Sequence, residues 1–123
     1  MEVVLVYRAA ASLLTIAFVS GVVMMVIRFG SDNESPAWMA KLHGFVAVAA
    51  LSLLVFGWAH LGFSRPASFA LLTLLLAAAA GLFLNLGYHW RHKPLPEGLV
   101  FAHMAVASLG FLVAGVVALS LAA

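Results

Sequence analysis

The chain has 123 residues, of which 66% are hydrophobic and only 8% are charged. Its mean hydropathy of +1.18 lies far outside the range of a soluble globular domain. The formal net charge of +2 is too small to indicate nucleic-acid binding. The absence of cysteine excludes disulfides, zinc–thiolate sites, iron–sulfur clusters and covalently attached c-type haem. The composition therefore predicts an integral membrane protein in a lipid bilayer.

Four apolar segments follow one another along the chain. We predict helices over residues 3–29, 37–63, 67–88 and 99–122, and each is long enough to cross a hydrocarbon core, which takes about 20 residues. The connections are short, so consecutive helices are expected to be antiparallel neighbours. The sequence thus predicts an all-α fold, a transmembrane up-down-up-down four-helix bundle that forms one integral membrane domain over residues 1–123.

The two ends of this bundle differ in positive charge. We call the end with loops 30–36 and 89–98 side A, and the opposite end side B. Four Lys or Arg side chains fall on side A and two on side B. The positive-inside rule therefore predicts that loops 30–36 and 89–98 are cytoplasmic.

His43 and His103 each stand seven residues after the proline that opens their helix. Both imidazoles are thus expected about 10 Å inside side A, on helices two and four. Two nitrogen ligands from separate helices at one depth are what a b-type haem requires, so we predict one bis-histidine haem b. Each ligand is expected to donate its second ring N–H to a carbonyl one turn earlier, that of Met39 or Leu99.

Small and polar residues near these histidines are predicted to contact the cofactor. Gly44 follows the first histidine, and Gly110 lies seven residues after the second, on the same helix face. Small residues there would leave room for a flat ring. Asn85, one turn before His89 on helix three, is a candidate hydrogen-bond donor to the cofactor edge.

A basic cluster of Lys41, His89 and Arg91 lies on side A, nearer to water than the predicted iron. Cations and imidazole donors pair well with carboxylates and carbonyls, so we predict that this cluster faces haem propionates or a quinone headgroup. An ordinary basic and aromatic belt at the membrane interface is the alternative. His89 or His92 could also replace one ligand, whereas His60 lies about 25 Å beyond His43, too far to share its iron.

Two alternatives use the same histidines. Without a cofactor they would hydrogen-bond neighbouring helices, and the chain would be a structural or assembly subunit of a membrane complex. With methionines at the same end they would form a soft copper site. The methionines concerned are Met24, Met25, Met39 and Met104.

The segments LHGFVAVAALSLLVFGWAH of helix two and AHMAVASLGF of helix four resemble bacterial membrane-bound b-type cytochromes. The resemblance implies a haem between helices and electron exchange with quinone or a partner redox protein. Many such families carry two haems, but here only His60 marks the far side. The sequence contains no phosphate-binding loop, nucleophile elbow or paired catalytic carboxylates. We therefore expect a non-catalytic electron-transfer subunit of an oxidoreductase complex, with partner redox subunits or a second copy of the chain.

Overall fold

The computed structural model describes residues 2–31 and 33–121. Over these residues it contains helices α1 (Val3–Ser31), α2 (Ala37–Leu61), α3 (Arg65–Leu84) and α4 (Glu97–Ser120). A π-helical turn, Asn85–His89, continues α3. The described part of the chain has no strand, and all four helical segments are long and apolar enough to cross a membrane. The predicted all-α four-helix fold is confirmed. With the π-helical turn counted as part of the third helix, the described helix ends lie within two residues of the predicted bounds. Residue 122 is outside the described part.

Helix boundaries follow from local sequence. Gly62, with φ +73°, ends α2 in a conformation that residues with a Cβ rarely adopt. Ser64 then caps α3, because its side chain accepts a hydrogen bond from the backbone N–H of Ala67 at 3.4 Å. Pro66 occupies the first turn of α3, where its missing N–H costs nothing. A short turn thus reverses the chain at side B.

The bundle consists of two helical hairpins. Helix α1 packs mainly against α2, and α3 packs mainly against α4. The hairpins meet along two seams, α1 with α4 and α2 with α3, which have fewer contacts than the hairpins themselves. Consecutive helices are therefore neighbours, as the short loops predicted.

Tight packing is confined to the half of the bundle nearer side B, which we call the closed half. Its buried residues fall within ranges 6–17, 50–57, 67–77 and 110–117. In the other half, over the described residues of ranges 18–49 and 78–109, only Leu84 is buried. We call this the open half. Its inward positions are only partly covered by protein.

Tyr7 is a buried polar residue of the closed half. Only 1% of it is exposed, its ring packs on Phe63 at a centroid distance of 5.4 Å, and no described residue is a hydrogen-bond partner of its hydroxyl. A buried hydroxyl without a partner costs free energy.

We expect Tyr7→Phe to raise the free energy of unfolding by about 1 kcal/mol, measured by denaturation in detergent micelles. Tyr88→Phe, at a partly exposed position, is the control. A loss of stability in Tyr7→Phe would show that the hydroxyl is hydrogen-bonded.

Candidate metal or cofactor site

The structure brings His43 and His103 together in the open half. Their ring centroids lie 6.4 Å apart and their planes meet at 76°. The two residues belong to α2 and α4, each of which packs mainly against another helix. The pair therefore spans the interior of the bundle from one hairpin to the other.

Each imidazole is fixed by one hydrogen bond to a backbone carbonyl. Nδ1 of His43 lies 2.8 Å from the oxygen of Ala17, and Nδ1 of His103 lies 2.8 Å from the oxygen of Ala77. A carbonyl oxygen can only accept, so each Nδ1 carries the hydrogen. In the neutral ring Nε2 then keeps its lone pair, and none of the described residues forms a hydrogen bond to either Nε2. Both rings are thus in the tautomer that binds metals through Nε2.

The acceptors of these hydrogen bonds differ from the predicted ones. Met39 and Leu99, one turn earlier in the same helix, were the expected acceptors, and this prediction is wrong. Each ring instead reaches the neighbouring helix of its own hairpin. The hydroxyl of Ser20, which donates to the Ala17 carbonyl at 2.8 Å, also lies 3.3 Å from Nδ1 of His43.

Two glycines make the cross-helix bonds possible. Gly21 and Gly81 each lie four residues after the accepting carbonyl, where a side chain would lean back over it. A Cβ at Gly21 would be 3.2 Å from Cε1 of His43, and one at Gly81 would be 2.9 Å from Cε1 of His103. Only glycine therefore lets the ring reach the carbonyl without displacement.

The two halves of the site repeat along the chain with an offset of 60 residues. The repeated residues are Ala17, Gly21, Pro36 and His43 in the first hairpin and Ala77, Gly81, Pro96 and His103 in the second. Each histidine follows its accepting residue by 26 positions. This repeat was missed by the sequence reasoning, which used only the spacing from proline to histidine. It indicates that the hairpins are related by an approximate two-fold axis between the two rings.

The ring separation matches that of two imidazoles sharing one metal. An imidazole nitrogen lies about 2 Å from a bound metal, so rings on opposite sides of one ion have centroids about 6 Å apart. Such rings can take any angle about their common axis, so the observed 76° is compatible. The described residues contain no group of three or more His, Cys, Asp or Glu side chains that could hold a metal. The described residues therefore do not form a tetrahedral zinc site.

The other predicted cofactor contacts are dispersed. At Gly44, beside His43, a Cβ would meet nothing within 4 Å, so this position borders free space. At Gly110 a Cβ would be 2.8 Å from Cγ of Leu74, which gives this glycine a packing role in the closed half. A cofactor contact for Gly110 stays a prediction.

The polar residues predicted around the cofactor edge differ in burial. Asn85 and His89 are partly buried and form the two ends of the π-helical turn, a feature frequent at functional sites. Lys41 and Arg91 are exposed. His60 is exposed near side B and packs on Phe56 at a centroid distance of 5.0 Å, away from the histidine pair.

No family model, curated protein or solved structure matches this chain. The resemblance to b-type cytochromes therefore depends on the chain's own residues. The geometry of those residues offers two imidazoles whose Nδ1 atoms are bound to carbonyls and whose ring centroids lie 6.4 Å apart.

Proposed function

We propose that this chain binds one haem b between α2 and α4 and serves as an electron-transfer subunit in a membrane. His43 and His103 would be the two axial ligands. The observation that carries the proposal is the pair of imidazoles with Nδ1 bound to carbonyls and centroids 6.4 Å apart. A bound haem would supply one-electron oxidation and reduction.

The carbonyls of Ala17 and Ala77 would have a chemical role as well as a structural one. By accepting the Nδ1–H bonds they fix the tautomer and the ring orientation, and they increase the basicity of Nε2. Rigid ligands also suit electron transfer, because both oxidation states share one geometry.

The surroundings of the pair favour electron transfer over catalysis or transport. With both His43 and His103 holding the iron, the haem would transfer electrons rather than bind a substrate at the metal. No Asp, Glu, Lys or Arg lies in ranges 9–27, 42–64, 66–90 or 98–120, so these ranges lack the charged residue expected of a proton path. Residues 1–123 show no catalytic motif that would give the chain a substrate of its own.

Electrons would pass between this haem and quinone or a partner redox protein. The bilayer surrounds the helices, and partner redox subunits or a second copy of the chain would cover part of the apolar outer surface. The excess of positive side chains at side A favours a cytoplasmic position for loops 30–36 and 89–98. The resemblance to bacterial b-type cytochromes implies that the membrane is a bacterial inner membrane.

The chain purified after haem-replete expression is expected to contain one haem b per chain. A reduced-minus-oxidised absorption spectrum should show the sharp bands of a six-coordinate low-spin haem, and metal analysis should find iron in equal amount. A preparation with copper and no haem would favour the copper site with Met24, Met25, Met39 and Met104. A preparation with neither would contradict the proposal.

A cofactor-free structural role is the second candidate. The same hydrogen bonds join α1 to α2 and α3 to α4, which would stabilise the two hairpins without any ligand. This role predicts that the apoprotein is as stable as the protein mixed with haem. The haem proposal predicts that added haem raises the unfolding temperature, because a ligand that binds only the folded state stabilises it.

A further inference from the structure

Arg28 is a largely buried basic side chain at side A, and the structure gives its polar contacts. It lies in the last turn of α1, and only 18% of its side chain is exposed. Nη1 donates to Oε1 of Glu34 at 3.1 Å, and Nη2 donates to the carbonyl of Leu95 at 2.9 Å. Nε is buried, and no described residue accepts a hydrogen bond from it.

These contacts fix the guanidinium in one orientation, and among its three nitrogens only the buried Nε has no hydrogen-bond partner among the described residues. Glu34 precedes α2 and Leu95 precedes α4, so the group is held by both loops of side A. A buried donor without an acceptor costs free energy and is rare in native proteins unless a ligand or water completes it. The Nε–H of Arg28 thus indicates an acceptor at the side A end of the open half.

Arg28 lies on the helix face that contacts the histidine site. It follows Gly21 by seven residues, two helical turns, and Gly21 approaches the ring of His43. The two positions are therefore on the same side of α1, about 10 Å apart along its axis. Arg28 therefore lies between the histidine pair and the side A end of the bundle.

We propose that the Nε–H of Arg28 binds a carboxylate of the ligand held by the histidine pair. This inference rests on the proposed function, in which the carboxylate is a haem propionate. Arginine binds carboxylates through short charge-assisted hydrogen bonds, which are stronger when partly buried. Lys41 and Arg91, the cations predicted for this role, are exposed and would hold a carboxylate more weakly.

The two hairpins differ at this position. With the offset of 60 residues, Arg28 corresponds to Tyr88, which lies in the π-helical turn. The cation is therefore present on one side of the approximate two-fold axis. Stacked rings of Phe29 and Phe101, with centroids 5.2 Å apart, lie beside it between α1 and α4. The carboxylated edge of the ligand would point toward the side A end of α1.

The test compares haem b with its dimethyl ester, in which both carboxylates are blocked. The apoprotein is titrated with each, and the ratio of the two dissociation constants is the readout. Wild type is expected to prefer haem b. Arg28→Gln should weaken haem b binding about tenfold and leave ester binding unchanged. Arg28→Lys keeps a cation but lacks the Nε–H, so it should lose most of the preference for haem b over the ester. It replaces Arg28→Gln in the test if that variant does not fold.

Three control variants separate carboxylate binding from general effects. Arg8→Gln and Arg65→Gln remove exposed cations at side B and should keep the wild-type ratio. Glu34→Gln weakens the ion pair to Nη1 but leaves Nε–H in place, so it should also keep the ratio.

Each other outcome contradicts a specific claim. If Arg28→Gln weakened the binding of haem b and of its dimethyl ester equally, Arg28 would only join the two loops. That result would overturn this inference and leave the proposed function intact. Loss of the preference in Lys41→Gln instead would place the carboxylate at Lys41. Failure of wild type to bind either porphyrin would overturn the proposed function, and this inference with it.

Discussion

His43→Ala and His103→Ala are each expected to abolish the six-coordinate spectrum of the bound haem. Each change removes one of the two proposed Nε2 ligands. The hydrogen-bond partners of the two rings are the Ser20 hydroxyl and two backbone carbonyls, none of which is an imidazole that could replace the lost ligand. Loss of a contact that merely supports a metal ligand costs about 10- to 100-fold in affinity, so loss of the ligand itself should cost more. Absorption spectra and haem titrations of the purified variants measure both effects.

Added imidazole makes this result specific to ligation. Alanine leaves a space of imidazole size beside the metal, so free imidazole should restore the six-coordinate spectrum of either variant. His60→Ala and His92→Ala are matched controls, because both residues are exposed and should leave the spectrum unchanged. If His89→Ala were the damaging change, the π-helical turn would supply a ligand and the assignment of His43 or His103 would be wrong.

The fold was predictable because its signals are local. Runs of apolar residues define four helices. Pro36 and Pro96 directly precede α2 and α4, because proline is well tolerated at a helix start, where its missing N–H costs no hydrogen bond. The equal spacing from each proline to its histidine fixed the relative depth of His43 and His103. Depth along a helix depends only on residue number, so the sequence was sufficient for it.

The hydrogen-bond partners were not predictable in the same way. Whether the ring of His43 reaches a carbonyl of its own helix or of its neighbour depends on the distance between two helices. That distance is set by Gly21, whose importance appears only when Ala17 and His43 are known to be adjacent. The second hairpin repeats this arrangement. In the sequence alone the repeat appeared only as the equal spacing from each proline to its histidine, and nothing there explained that spacing.

The role of Arg28 was also hidden. In the sequence it stands at the end of an apolar segment, where arginine commonly extends toward the membrane surface. In the structure the loops fold back, so that Glu34 and Leu95 hold its guanidinium at the edge of the bundle. Loop conformation, which the sequence left open, therefore decides whether a cation of side A faces water or the site.

Gly81→Ala is expected to weaken haem binding about 10- to 100-fold, because it disturbs the contact that holds a ligand. The added Cβ would lie 2.9 Å from Cε1 and 3.4 Å from Nδ1 of His103, so the ring must shift or α3 must move away. Either movement lengthens the 2.8 Å bond from Nδ1 to the carbonyl of Ala77. Gly21→Ala should have a smaller effect, since the corresponding contact with His43 is 3.2 Å.

The reduction potential gives a second measure of the same contact. A weaker Nδ1–H bond makes Nε2 less basic, so the oxidised iron is stabilised less and the potential of Gly81→Ala should rise. Gly115→Ala is the matched control on α4, because its Cβ would meet nothing within 4 Å. Gly110→Ala should lower stability, because its added Cβ would lie 2.8 Å from Cγ of Leu74. Equal haem affinity and potential in Gly81→Ala and Gly115→Ala would show that the Ala77 carbonyl does not hold a ligand, and His103 would then lose its assignment.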